Sequence, residues 1–255
     1  MMKFGKFVSI LGVVLLGAVS VAAQGQPGNL AALEFQTPKN GAVKEYEQGR
    51  KQKVDWHKQQ KDTQALYVWE IISGDSTGTY IVGRLGQHWA DLDKPSVPDA
   101  ADLDTYRKLI GANVQSLVTR YYEYMPKVSN PGSSGGSPKF SEIITYHVRG
   151  DHETDFRSAM ARITEAIQKT KSPLNYSWYE LVNGGPDGTF VLSIPHANWA
   201  DFEDKPEMKP FRDMLKDAFS ASEADSIIKS LNASVKSSES EIIQFRDDLS
   251  YIPAK

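Results

Sequence analysis

The chain repeats itself at an offset of 110 residues, and an internal duplication narrows the available folds more than any composition can. Residues 70–91 match residues 180–201 without a gap. Glu70 falls on Glu180, Gly74 on Gly184, Gly78-Thr79 on Gly188-Thr189, and Trp89-Ala90-Asp91 on Trp199-Ala200-Asp201. Apolar positions keep the same register: Ile71, Ile72, Tyr80, Ile81 and Val82 fall on Leu181, Val182, Phe190, Val191 and Leu192. One inserted residue then brings Lys94-Pro95 onto Lys205-Pro206, and a longer insertion brings Val114 and Ser116 onto Val235 and Ser237. Identity and hydrophobic character held together over that length imply one structural unit present twice.

Between the copies lies Ser129-Asn130-Pro131-Gly132-Ser133-Ser134-Gly135-Gly136-Ser137-Pro138, which has no apolar surface to bury and favours turns and flexibility. The expected organisation is a leader at 1–23, a first unit at 24–128, a linker at 129–139 and a second unit at 140–255. The leader reading rests on Lys3 and Lys6, an apolar run over residues 7–19, and Val21-Ala22-Ala23 before Gln24: a basic start, a short apolar stretch and a small-residue cleavage site. The run falls short of the roughly 20 residues that span a bilayer. Cleavage after Ala23 is expected, with an uncleaved anchor as the rival reading. The expected location is the bacterial periplasm or the medium.

Loss of Lys3 and Lys6 with the leader would take the formal charge from −3 to −5. A mildly acidic chain lacks the cationic excess that binds phosphate backbones, so nucleic acid is not an expected partner. With no cysteine there are no disulfides, no thiol nucleophile and no lipidated Cys anchor, so packing must supply the stability.

Within the second copy, residues 143–149 read as a strand, and Phe156, Met160, Ile163 and Ile167 follow at helical spacing. Strands at 175–182 and 188–194 flank the turn-forming run Asn183-Gly184-Gly185-Pro186-Asp187-Gly188. Helical spacing returns at Phe211, Met214, Leu215 and Ala218, and again at Ile227, Ile228, Leu231 and Val235, before a last strand over 241–246. The first copy repeats the order, with strands near 30–37, 66–72, 79–85 and 118–124. Its first helix, 43–61, is rich in Lys, Gln and Glu, with Val43, Tyr46 and Val54 as apolar contacts and Trp56 at their flank. Its second carries Leu103, Tyr106, Leu109, Ile110, Val114 and Leu117.

The order β-α-β-β-α-β predicts an α+β fold of two tandem ferredoxin-like units, each a four-stranded antiparallel sheet with both helices on one face. The other face is left bare and needs a partner, which the second copy can supply. With its Gly-Thr-Tyr/Phe strand followed by a Trp-Ala-Asp turn, the chain resembles the dimeric α/β-barrel superfamily over its whole length after the leader, here with both units fused and packed sheet to sheet. That resemblance implies a ligand-holding lumen between the sheets. It admits cofactor-free monooxygenases, haem enzymes, small-molecule binders and members without activity, so it sets only a wide prior on function.

Strand alternation nominates lumen residues. On the strand at 188–194 the apolar set Phe190, Leu192 and Ile194 is assigned to the helices, leaving Thr189, Val191 and Ser193 to the lumen. The same test sends Thr145, His147, Trp178 and Glu180 inward, and in the first copy Glu34, Gln36 and Glu70. Glu70, Glu180, His147 and Glu34 therefore form a candidate polar cluster, able to act as bases or to hold a ligand, with Trp178 as an aromatic surface. Set against this is a wet rim in which the same groups pair with nearby Arg or Lys, and a slip of one residue would reverse every assignment. Trp89 and Trp199 could stack a ligand, but closing the end of a sheet is the commoner use of such an indole. Asp91 and Asp201 read as caps on free amides. No metal site of the His-Glu-x-x-His type, nucleophile elbow, phosphate loop or dinucleotide motif is present. A haem stays open only through one lumen histidine such as His147.

The favoured function is a non-enzymatic module that binds a small apolar or aromatic ligand in the barrel, or a partner protein, with inward-facing residues among Tyr121, Tyr122 and Tyr124 adding surface. The alternative is a cofactor-free monooxygenase-like or haem-dependent enzyme, and a purely structural role is a third reading. The assembly expected is a monomer with an internal pseudo-dimer, or a higher oligomer, with no membrane span once the leader is removed.

Overall fold

The computed structural model describes residues 27–132, 138–203 and 208–253; the leader assigned to 1–23 lies outside them. No helix among the described residues is long and apolar enough to cross a membrane. The first unit runs β1 (Leu30–Pro38), α1 (Val43–Gln59), β2 (Tyr67–Ser73), β3 (Tyr80–Gln87), α2 (Asp99–Leu109) and β4 (Val114–Tyr124). The second runs β5 (Phe140–Val148), α3 (Glu153–Thr170), β6 (Ser177–Asn183), β7 (Thr189–His196), α4 (Phe211–Ala218), α5 (Ala221–Ser234) and β8 (Val235–Phe245).

The eight strands close into one antiparallel barrel in the order β1-β3-β2-β8-β5-β7-β6-β4. Each unit contributes four neighbours, β4-β1-β3-β2 and β8-β5-β7-β6, and the bare sheets join along two seams, β2 with β8 and β4 with β6. Closure leaves no strand edge unpaired, which removes the usual hazard of an exposed antiparallel edge. At the hairpins beside the seams, Gly74 and Gly184 both sit at φ +93. A Cβ on Gly184 would stand 2.3 Å from the Thr119 carbonyl oxygen, so glycine there serves both the left-handed backbone and the close approach of β4.

Helices cover the outer face of each sheet. In the second unit Phe156, Met160 and Ile167 of α3 pack with Trp178, Phe190 and Leu215. Around the first unit the core is smaller, formed by Tyr46, Val68, Tyr80, Val82, Ile110 and Leu249. Leu249 comes from the far end of the chain. After β8 the backbone crosses the seam: Arg246 N donates to the Val68 carbonyl, Ser250 Oγ accepts from Val68 N, and Leu66 and Tyr251 exchange backbone bonds. After β4 the first unit does the same to the second, since Met125 N donates to the Trp178 carbonyl, Ser129 Oγ accepts from Trp178 N, and Asn130 pairs with Tyr176. Val128 then packs against the second core. Each unit is thus plugged by the tail of the other.

Three sequence expectations are corrected. Val114, Leu117 and Val235 belong to strands, not helices: the Gly111–Asn113 turn ends the helical path before Val114, and Val235 directly follows α5. On α1, Val43 is exposed, while the buried face pairs Tyr46 and Val54 with Gly49, Arg50, Lys53 and His57. Ser129 and Asn130, assigned to a flexible linker, are pinned to the second sheet; residues 133–137 lie outside those described.

Candidate functional site

The barrel encloses a cavity of about 1150 Å³, within the range of a site for a small organic ligand or somewhat above it. Its wall comes from alternate residues of every strand: Leu33 and Phe35 on β1, Trp69 and Ile71 on β2, Ile81 on β3, Arg120 and Tyr122 on β4, Ile143, Thr145 and His147 on β5, Tyr179 and Leu181 on β6, Thr189 and Val191 on β7, and Glu239, Glu241 and Ile243 on β8. Repeat-equivalent positions make the two walls unlike. Ala31, Phe35 and Thr37 of the first unit stand where the second has Ser141, Thr145 and His147, so the first wall is the more apolar and the second the more polar.

On β5 and β7 the structure places Thr145, His147, Thr189, Val191 and Ser193 in the lumen, as strand alternation expects. His147 Nδ1 lies 3.2 Å from Thr189 Oγ1, and its Nε2 lies 3.6 Å from Glu239 Oε1. The matching pair in the first unit is Thr37 and Thr79, whose hydroxyls are 2.9 Å apart.

On β1, β2 and β6 the expected parity is reversed. Glu34, Gln36, Glu70, Trp178 and Glu180 all point to the helices. Glu70 takes an ion pair from Arg246 Nη1 at 2.7 Å, an arginine that also pairs with Glu47 and Asp248. Glu180 is held by Arg157 of α3, which also pairs with Glu153. Glu34 accepts from Gln36 Nε2 at 2.6 Å, and Gln36 is buried and accepts from the Tyr46 hydroxyl at 2.9 Å. Trp178 is buried against Tyr146 and Phe156, with ring centres 5.6 and 5.9 Å away. The reason is that the lumen is itself apolar. Both faces of these strands carry large side chains, so the more apolar set no longer identifies the helix face, and Trp69, Ile71, Tyr179 and Leu181 go inward. The four candidates therefore do not form one cluster; only His147 faces the cavity.

Trp89 and Trp199 lie at strand ends, about half exposed, against Tyr121 and against Phe140 and Phe202 respectively. Asp91 Oδ2 accepts from His88 N at 2.7 Å, and Asp201 Oδ2 accepts from Ala197 N at 2.8 Å. Each aspartate ties a one-turn helix back to the residues before it, and Asp201 also reaches the cavity rim.

Of Tyr121, Tyr122 and Tyr124, Tyr122 is the one that lines the cavity, while alternation overlooked Arg120 and Glu241. Arg120 and Glu241 are repeat-equivalent, which extending the Val114–Val235 and Ser116–Ser237 register would have revealed. Arg120 lies over the Phe35 ring, 4.9 Å from its centre, and its Nε is buried without a hydrogen-bond partner. Burial pushes the Tyr122 hydroxyl above the usual phenol range, with Arg120 opposing the shift and Glu241 adding to it.

No group of three metal-ligating side chains occurs among the described residues. A haem needs an axial nitrogen free to meet the iron. His147 Nδ1 is within hydrogen-bond distance of Thr189, and its Nε2 has the exposed Glu239 carboxylate 3.6 Å away; a single histidine of this kind is all that the described residues offer such a group, and no chemistry is derived through it.

No protein-family model matches the sequence, and no curated protein is similar to it. Solved structures do resemble it in fold. A provisionally named monooxygenase from Lactobacillus acidophilus NCFM superposes with a TM-score of 0.54 at 9% identity, over 90% of this chain and 98% of the other. One of the same description from Fusobacterium nucleatum gives 0.51 at 11%, over 87% and 93%. A chlorite dismutase variant from Candidatus Nitrospira defluvii gives 0.50 at 10%, over 87% and 92%. At such identities the likeness concerns fold and not activity. With its closed eight-stranded barrel built from two β-α-β-β-α-β halves, the chain has the dimeric α/β-barrel fold, its two ferredoxin-like units fused in one polypeptide.

Proposed function

We propose that this is an exported small-molecule-binding protein whose ligand, with an apolar or aromatic body, occupies the barrel interior. The observation that carries the reading is the cavity of about 1150 Å³, walled on one side by Leu33, Phe35, Trp69, Ile71 and Ile81. Such a wall offers apolar surface to a ligand, and its aromatic rings add stacking geometry. The export reading rests on Lys3, Lys6, the apolar run and Val21-Ala22-Ala23.

The test is fluorescence titration with N-phenyl-1-naphthylamine, a neutral aromatic dye that brightens in apolar sites. Saturable binding is expected, together with its loss in Val191→Trp, where a larger side chain fills the lumen. Absence of saturable binding, or equal binding by the filled variant, would overturn the reading.

A cofactor-free monooxygenase-like activity is a second reading, and one observation favours it: His147 is an imidazole in the cavity wall with a hydroxyl and a carboxylate beside it. In that role it would take a proton from a bound aromatic substrate. Dioxygen uptake with a phenolic substrate that disappears in His147→Ala would support it.

A further inference from the structure

Two strand residues of opposite charge face the lumen without an ion pair between or around them among the described residues. Arg120 on β4 and Glu241 on β8 occupy equivalent positions of the duplicated unit, and their strands stand opposite one another in the barrel, four places apart around the ring of eight. Neither has an oppositely charged side chain within ion-pair distance among the described residues, and the Nε of Arg120 has no acceptor at all. Arg246 pairs with Glu47 and Glu70 and Arg157 with Glu153 and Glu180 on the outer layer, while Arg50 of α1, also on that layer, keeps Nε and Nη2 without partners; Arg120 differs from it in lining the cavity. Both residues are half-buried, and a half-buried charge that lacks a partner in the protein can gain one from a bound molecule of matching charge. A simple anion would satisfy Arg120 but face Glu241; a simple amine would do the reverse. The Tyr122 hydroxyl, which hydrogen-bonds the Arg120 side chain and feels the charge of Glu241, adds a further polar group to the same wall. Phe35, Leu33 and Trp69 supply the apolar surface beside Arg120. Glu239 is a poor rival anion, being 70% exposed in its side chain and turned to His147.

Resting on the cavity reading above, we propose that the barrel binds a small zwitterion with an apolar body, of the class of the free aromatic amino acids, its carboxylate on Arg120 and its ammonium on Glu241. No covalent step is involved.

Isothermal titration of the full mature chain with three probes tests this: L-phenylalanine, 3-phenylpropionate, which keeps only the acid, and 2-phenylethylamine, which keeps only the amine. L-phenylalanine is expected to bind about tenfold or more tighter than either, the scale of one charge-assisted hydrogen bond in a protected site. Arg120→Gln is expected to abolish the preference over 2-phenylethylamine, and Glu241→Gln the preference over 3-phenylpropionate, with circular dichroism reporting that each variant folds. The unmodified chain alone also decides the matter, so a misfolded variant does not rescue the idea. If the neutral dye binds but 3-phenylpropionate or 2-phenylethylamine binds as well as L-phenylalanine, or none of the three binds, the zwitterion proposal is overturned and the cavity reading stands. If the dye itself does not bind, the cavity reading falls and takes the proposal with it.

Discussion

His57 stands where the second unit has Ile167, and the exchange turns a piece of apolar core into a charged one. The imidazole is 1% exposed, with Nδ1 2.8 Å from Asp62 Oδ2 and Nε2 3.6 Å from Asp102 Oδ1. Lys53, which pairs with Asp102, and Arg84, which pairs with Asp62, complete the surroundings. Burial pushes the His57 imidazole down to about 4, against the attraction of the two aspartates. The folded state therefore refuses a proton that the unfolded chain accepts near pH 6.5. Stability from this group is fully present above 6.5 and is lost as pH falls from there toward 4. Asp62 acts lower on the scale: although burial opposes it, bonds from Ser96, Gln64 N and Arg84 hold its carboxyl below the usual range, so its contribution is lost only below about 3.8. His57→Ile, which copies the second unit, is expected to flatten the decline in melting temperature between pH 7 and pH 4.5. Melting curves that fall as steeply for the variant as for the parent would show that His57 does not govern this window.

At the scale of elements, strand alternation was legible for β5 and β7 and misleading for β1, β2 and β6. Alternation reports which face is more polar, and a barrel with an apolar lumen offers two apolar faces. Phe190 and Leu192 faced Thr189 and Ser193, so the contrast was real on β7; on β6, Trp178 and Tyr179 compete and the contrast vanishes. The carboxylates that looked like lumen groups, Glu70 and Glu180, found arginines on the outer layer, one from just past β8 and one from α3. The tails are the other element whose role periodicity does not show. Asp247–Leu249 is a single helical turn, yet it delivers Leu249, fully buried, among Tyr46, Val68 and Tyr80. Leu249→Ala is expected to cost about 2–5 kcal/mol in urea unfolding, as for other leucines removed from a packed core. Ile252→Ala, at a residue 54% exposed, is the control and should cost little. Similar losses at both positions would mean that the tail does not plug the first unit.

For the molecule as a whole, neither unit is a self-sufficient domain. Cut apart, each would bare a lumen wall and two seam strands, and each would lose the tail that completes its core, Val128 for the second and Leu249 for the first. Fragments ending near residue 132 and beginning near residue 138 are expected to aggregate or remain unfolded when made singly, and to form a one-to-one complex when made together. Circular dichroism and light scattering check this; a folded, monomeric fragment of either half would refute it.

The sequence by itself determined the duplication, the order of elements in each copy and, through the bare faces, that the two halves must meet. Those follow from local periodicity and turn chemistry, which each stretch of chain carries independently of the rest. Tertiary structure alone decided which face of β1, β2 and β6 looks inward, which arginine answers each glutamate, and that Arg120 and Glu241 share a cavity. Closing the barrel brings residues more than a hundred positions apart into one wall, and no local pattern records the partner that a side chain will meet there.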